Sequence, residues 1–117
     1  MFSDLLELID ENGRSVRAYE ICARTARNRA IGELDNSAAL FLLAMAAQRF
    51  VDSFDDQPIT VDEAAREGEK IGGYITDLND AYNQSDTGIR ISALNKVANA
   101  LSQKKPDRLR LSPLPTG

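Results

Sequence analysis

Ten consecutive apolar residues, Ala38 to Ala47 (AALFLLAMAA), constrain this chain more than any other feature. The residues around them are spaced as in a helix. A helix that is apolar all round has to be covered on every side. The run is about half of the roughly 20 residues that a membrane-spanning helix needs. It therefore predicts the buried axis of a helical bundle and not a transmembrane segment.

The rest of the sequence supplies neighbours for that axis. No useful length of alternating apolar and polar residues argues for a strand, and the apolar spacing is helical almost throughout. A first helix is expected from Ser3, as N-cap, to about Asn12, with Phe2, Leu5, Leu6 and Ile9 on one face. A second runs from about Ser15 to Ile31, with Gly32 as its C-cap. Val16, Tyr19, Cys22, Ala23, Ala26 and Ala30 share its apolar face, and Arg14, Arg17, Arg24 and Arg27 lie opposite. The third contains the apolar run, is capped by Asp35, Asn36 or Ser37, and reaches about Phe54.

The fourth helix has the clearest start. Thr60-Val61-Asp62-Glu63 is a capping box, and Ile59 before it can pack on Ala64 as a hydrophobic staple. Val61, Ala64, Ala65, Gly68, Ile71, Gly72, Ile75, Leu78 and Tyr82 form its expected core face. The two glycines each cost about 1 kcal/mol relative to Ala in a helix interior. Close approach of another helix can offset that, and the alanine face of the second helix is the expected partner. Asn83 to Gly88 is a turn cluster. A fifth helix follows from about Thr87 to Lys104, with Ile91, Leu94, Val97, Ala98 and Leu101 on its apolar side, and Pro106 ends it.

These elements make an all-α fold: a four- to five-helix bundle over residues 1–105, built around a buried apolar central helix. The second, fourth and fifth helices are expected to cover the third, with the first docked more loosely. Residues 106–117 read as an extended or disordered tail. Small helical domains often complete such a core by two-fold pairing, so a homodimer is expected.

Charge is strongly partitioned behind a net −4. Residues 1–12 carry −4, residues 13–31 +4, residues 32–87 −9 and residues 88–117 +5. Such blocks can steer a charged partner, or complement one another within the fold or between two copies. The single cysteine, Cys22, allows no internal disulfide and fits a reducing compartment. The acidic start lacks the basic flank of a signal peptide, so a cytoplasmic location is expected.

The chain has no histidine. The commonest general base and metal ligand is therefore missing, and with it Ser-His-Asp and Cys-His catalysis. Glu63 with Glu67, and Asp77 with Asp80, are close enough for acid–base work or a hard cation, but they read as a solvated face with Glu67 paired to Lys70. The turn from Asn83 has Leu94 where a calcium loop needs an acid. Gly72-Gly73 lacks the Lys-Ser or Lys-Thr pair of a phosphate loop. Cys22 reads as an inert core thiol.

No enzyme and no cofactor are expected. The sequence favours a non-catalytic protein–protein interaction module: a small cytoplasmic adaptor, chaperone or regulator. Its candidate partner-binding residues are Arg14, Arg17, Arg24, Arg27, Lys104, Lys105, Arg108 and Arg110. The alternative is a nucleic-acid-associated regulator that uses the same arginine face and basic C-terminus. The net acidity and sparse aromatics weigh against it.

Overall fold

Five α-helices follow one another in the computed structural model, which describes residues 1–55 and 60–103 and all of their side chains except Phe54 and Asp55. They are α1 (Ser3–Glu11), α2 (Val16–Gly32), α3 (Ser37–Asp55), α4 (Val61–Tyr82) and α5 (Thr87–Ser102), with one 3₁₀ turn, Leu34–Asn36, between α2 and α3. No strand occurs among the described residues, and the fold is all-α.

Local chemistry sets most helix starts. Ser15 caps α2, its hydroxyl accepting from the Ala18 amide at 3.2 Å. Asp86 caps α5, taking the Gly88 and Ile89 amides at 2.8 and 3.3 Å. The expected box at α4 is present in both directions: the Glu63 amide donates to Thr60 Oγ1 and the Thr60 amide to Glu63 Oε1, each at 3.1 Å. Such caps satisfy amides that the helix itself leaves open, each worth about 1 kcal/mol. Ile59 lies outside the described residues, as do Lys104, Lys105, Pro106 and the whole expected tail.

α1 departs from the expected cap. Phe2, not Ser3, holds the N-cap position, and no side chain closes it. Instead the Phe2 amide donates to Asn79 Oδ1 of α4 at 2.7 Å. The helix ends where the chain turns left-handed at two successive residues, Gly13 (φ 74°) and Arg14 (φ 55°). There the Arg14 amide reaches back to the Ile9 carbonyl at 2.9 Å. Glycine adopts this conformation freely, whereas Arg14 is held in it by the turn.

α2 and α3 pack against each other as an antiparallel pair. Ser37 Oγ donates to the Ala30 carbonyl at one end (2.9 Å), and the rings of Tyr19 and Phe50 stack at the other, centroids 4.0 Å apart. Between them Cys22, Ala23 and Ala26 of α2 join Leu40, Leu43, Ala44 and Ala47 of α3 in one buried cluster. Small residues on α2 leave room for the bulkier leucines that α3 sends into the seam.

α4 and α5 close the other side, where α3 packs on both of them. Ile71, Ile75, Leu78, Ala81 and Tyr82 of α4, with Val97 and Leu101 of α5, complete the core. Among the described residues no polar or charged side chain is buried.

Four expectations about packing are corrected. The alanine face of α2 does not meet the glycine face of α4; it packs on α3, and α2 and α4 make no backbone-level approach. Gly68 instead makes room for one side chain, because a Cβ there would lie 2.6 Å from the Tyr19 hydroxyl oxygen. Secondly, α1 is not loosely docked: Phe2 and Leu5 are wholly buried, and α1 wedges between α2 and α4. Thirdly, Val61 and Ile91, expected in the core, face solvent at 85% and 52% exposure.

The fourth correction concerns α3. It is not covered all round. Phe41 is 56% exposed and Met45 47%, and Ala38 is exposed with them. Three helices reach it, but they cluster on one side and leave a strip open.

Cys22 is wholly buried, and burial pushes its thiol up to about 11. The thiolate is the reactive form, so the native thiol is inert near neutrality. Under native conditions at pH 8, alkylation of Cys22 by iodoacetamide should proceed only at the rate of unfolding and become fast in denaturant. Rapid labelling of the folded protein would contradict this burial.

Candidate interaction surface

The uncovered strip is a straight row. Leu34, Ala38, Phe41 and Met45 recur at the four- and three-residue spacing that places side chains on one face of a helix. Leu34 belongs to the 3₁₀ turn, which prolongs the row beyond the start of α3, and it is 87% exposed. Ile31, in the last turn of α2, lies 82% exposed at the same corner. Isolated apolar residues on a surface mean little, but a contiguous group does. Patches of about 300–600 Å² are the largest that ordinary monomers expose and are often functional.

Next to this row runs the outer face of α2. Arg17, Arg24 and Arg27 are exposed along it, together with Glu20. The two rows are joined by a hydrogen bond from Arg27 Nη2 to Gln48 Oε1 at 3.2 Å, and Gln48 stands one turn beyond Met45. Gln48 in turn donates to Asp52 at 3.0 Å.

The arginines among the described residues divide into two groups. Arg29 is fully engaged: it donates twice to Asp4 (3.0 and 2.8 Å), twice to Glu33 (2.7 and 3.2 Å) and once to the Met1 carbonyl (3.1 Å). Its guanidinium, with the Asn36 amide, holds the Glu33 carboxyl down to about 2. It thereby pins α1 to the end of α2. Arg14 Nε donates to Asp10 at 2.8 Å. Arg90 stacks on the Tyr82 ring at 5.0 Å and donates to two carbonyls, and Arg49 donates to the Leu101 carbonyl.

By contrast, Arg66 on α4 and, in the α2 row, Arg17 and Arg24 make no ion pair or hydrogen bond among the described residues, and Arg27 bonds only the neutral amide of Gln48. A guanidinium stays charged at any physiological pH and presents several fixed donors, so such a row is open to carboxylates or phosphates.

Of the residues singled out from sequence, the structure brings together Arg17, Arg24 and Arg27. Arg14 does not join them, because it sits in the left-handed turn before α2 and faces Asp10. Lys104, Lys105, Arg108 and Arg110 lie outside the described residues. Sequence reading missed Phe41 and Met45, which it assigned to the core, and Arg29, whose tie to Glu33 was legible as a pair four residues apart on one helix face.

Clefts among the described residues lie elsewhere. One, of about 590 Å³, opens between α1 and the first half of α4 and is lined by Leu6, Ile9, Tyr19, Ala64 and Gly68. Another, of about 210 Å³, lies among α3, α4 and α5 beside Arg49 and the Glu67–Lys70 pair, whose charged atoms are 3.5 Å apart. Among the described residues no group of three or more Cys, Asp or Glu could hold a metal ion, and no helix is long and apolar enough to cross a membrane. No protein-family model, curated protein or solved structure matches this chain.

Proposed function

We propose that the protein is a non-catalytic protein–protein interaction module, a small adaptor, chaperone or regulator that binds through the outer face of α2 and the adjoining strip of α3. One observation supports this above the others. An arginine row without acid partners among the described residues lies directly beside large apolar side chains that the fold leaves exposed. Apolar groups at the centre of a patch with charge at its edge are the usual anatomy of a protein interface. A reducing, cytoplasmic setting agrees with the one buried, unpaired thiol.

Affinity capture from the source cell should recover a stoichiometric protein partner. Reversing Arg17, Arg24 and Arg27 to Glu, or removing residues 106–117, should weaken that capture. Retention unchanged by both variants would remove the basis for these contact surfaces. The second reading, binding of nucleic acid, draws on the same uncommitted arginines. It requires retardation of a DNA or RNA probe at low salt and a steep loss of binding as salt rises.

A further inference from the structure

Building on the reading of the protein as an interaction module, we propose that the seam between α2 and α3 receives an amphipathic helix with an acidic flank, supplied by a partner protein. The apolar half of the site is the row Leu34, Ala38, Phe41 and Met45, with Ile31 at its corner. From Leu34 to Gln48 the row extends about 20 Å at 1.5 Å per residue, the length of about four helical turns. An incoming helix can therefore meet it with residues spaced i, i+3 or i+4, and i+7, the pattern by which helices lie in apolar grooves.

The charged half is the outer row of α2. Packed helices lie about 8–10 Å apart, so a third helix resting in the groove between α2 and α3 touches both. The Arg27–Gln48 bond at 3.2 Å shows that the two rows border the same groove. Arg17 and Arg24 have no carboxylate partner among the described residues, although the same fold saturates Arg29 with Asp4 and Glu33. Glu20 shares the α2 face and forms no ion pair among the described residues. The net effect is a basic wall beside an apolar floor. Carboxylates along one flank of the incoming helix complement that wall while its apolar face covers Phe41 and Met45.

Two other occupants fit less well. An antiparallel two-fold pairing of α3 with a second copy lays α2 beside its own image and sets Arg24 and Arg27 against the same residues of the other chain. Like charges brought together in this way oppose association. A nucleic acid satisfies the arginines but leaves the apolar row in water.

The test uses two synthetic, fluorescently labelled helical peptides of about 18 residues, long enough to span the row. Both carry leucines at the spacing above; one has glutamates along a single flank and the other has lysines there. Binding to the full chain is read by fluorescence anisotropy. The glutamate peptide should bind at least about tenfold more tightly than the lysine peptide. The pair Phe41→Asp and Met45→Asp should weaken it by about tenfold or more, with the helical circular dichroism unchanged because both side chains are at the surface.

Arg24→Glu with Arg27→Glu should reverse the preference, so that the lysine peptide binds the better. A misfolded variant would lose both peptides and not exchange them. Equal binding of the two peptides, or no binding of either at about 100 µM, overturns the proposal. So does a dimer seen in sedimentation velocity that Phe41→Asp and Met45→Asp dissolve, which assigns the strip to a second copy.

Failure of the peptides with continued, arginine-dependent capture of a protein partner leaves the broader module reading intact. Binding of a short DNA duplex that survives Phe41→Asp and Met45→Asp and falls steeply with salt removes both.

Discussion

Phe2→Ala lowers the stability of the protein by about 3–5 kcal/mol, the range for emptying a buried aromatic site. Residues at the start of a domain are usually frayed and tolerant of change. Phe2 is the opposite case. Its side chain is wholly buried and meets the Tyr82 ring edge-on at 5.3 Å, while its amide is held by Asn79 of α4. Truncation leaves a cavity between α1 and α4 that two rigid helices cannot close. A domain of this size has about 5–15 kcal/mol in total, so the loss is a large share of it. Urea unfolding followed by circular dichroism measures it. Ile31→Ala, at an exposed site, should change stability by less than about 0.5 kcal/mol. A cost for Phe2→Ala below about 1 kcal/mol would show that α1 is not part of the folded core.

A pair of substitutions on α4 should change sign with the residue opposite. In an exposed helix interior Gly→Ala stabilises by about 1 kcal/mol through backbone entropy. At Gly73, where nothing lies within 4 Å of a built Cβ, that gain should appear. At Gly68 the Cβ would stand 2.6 Å from the Tyr19 hydroxyl oxygen, and the ring behind that oxygen is stacked on Phe50 and nearly buried. The hydroxyl cannot move without unstacking the ring. Gly68→Ala should therefore destabilise, by about 1–3 kcal/mol, as overpacking does.

In a Tyr19→Phe background the nearest atom is Cζ at 3.7 Å, an ordinary contact. There Gly68→Ala should become neutral or stabilising. A double-mutant cycle in thermal unfolding reads this coupling directly. Equal effects of Gly68→Ala with Tyr and with Phe at position 19 would discard the steric account.

The helices themselves were largely legible, because their signals are local. Ser15, Thr60 with Glu63, and the turn before Thr87 mark starts through hydrogen bonds made within three residues. Periodicity marked the buried faces of α2 and the middle of α4. The partners of those faces were less legible. The glycines of α4 suggested a close helix, yet Gly68 is matched to one tyrosine ring that α2 sends across from a distance. A glycine announces that space is needed without saying whether a backbone or a side-chain tip will occupy it.

The candidate surface divides in the same way. Arg17, Arg24 and Arg27 could be placed on one exposed face from spacing alone, because arginine seldom lies buried without a partner. Their lack of acid partners among the described residues could not be read, since it depends on side-chain geometry: Asp4, Asp10 and Glu33 pair with Arg29 and Arg14, and Glu20 on the same α2 face pairs with none.

Ala38 to Ala47 shows the boundary most clearly. Its residues alone make this segment a helix most of which enters a core, since helical spacing surrounds it and so many apolar side chains have to be shielded. Those residues do not determine which side stays open, because a helix apolar on every face carries no polar stripe to mark the solvent side. Tertiary structure decided that. α2, α4 and α5 pack around one part of the circumference, where short connections and their own apolar faces hold them, and Phe41 and Met45 are left on the remainder.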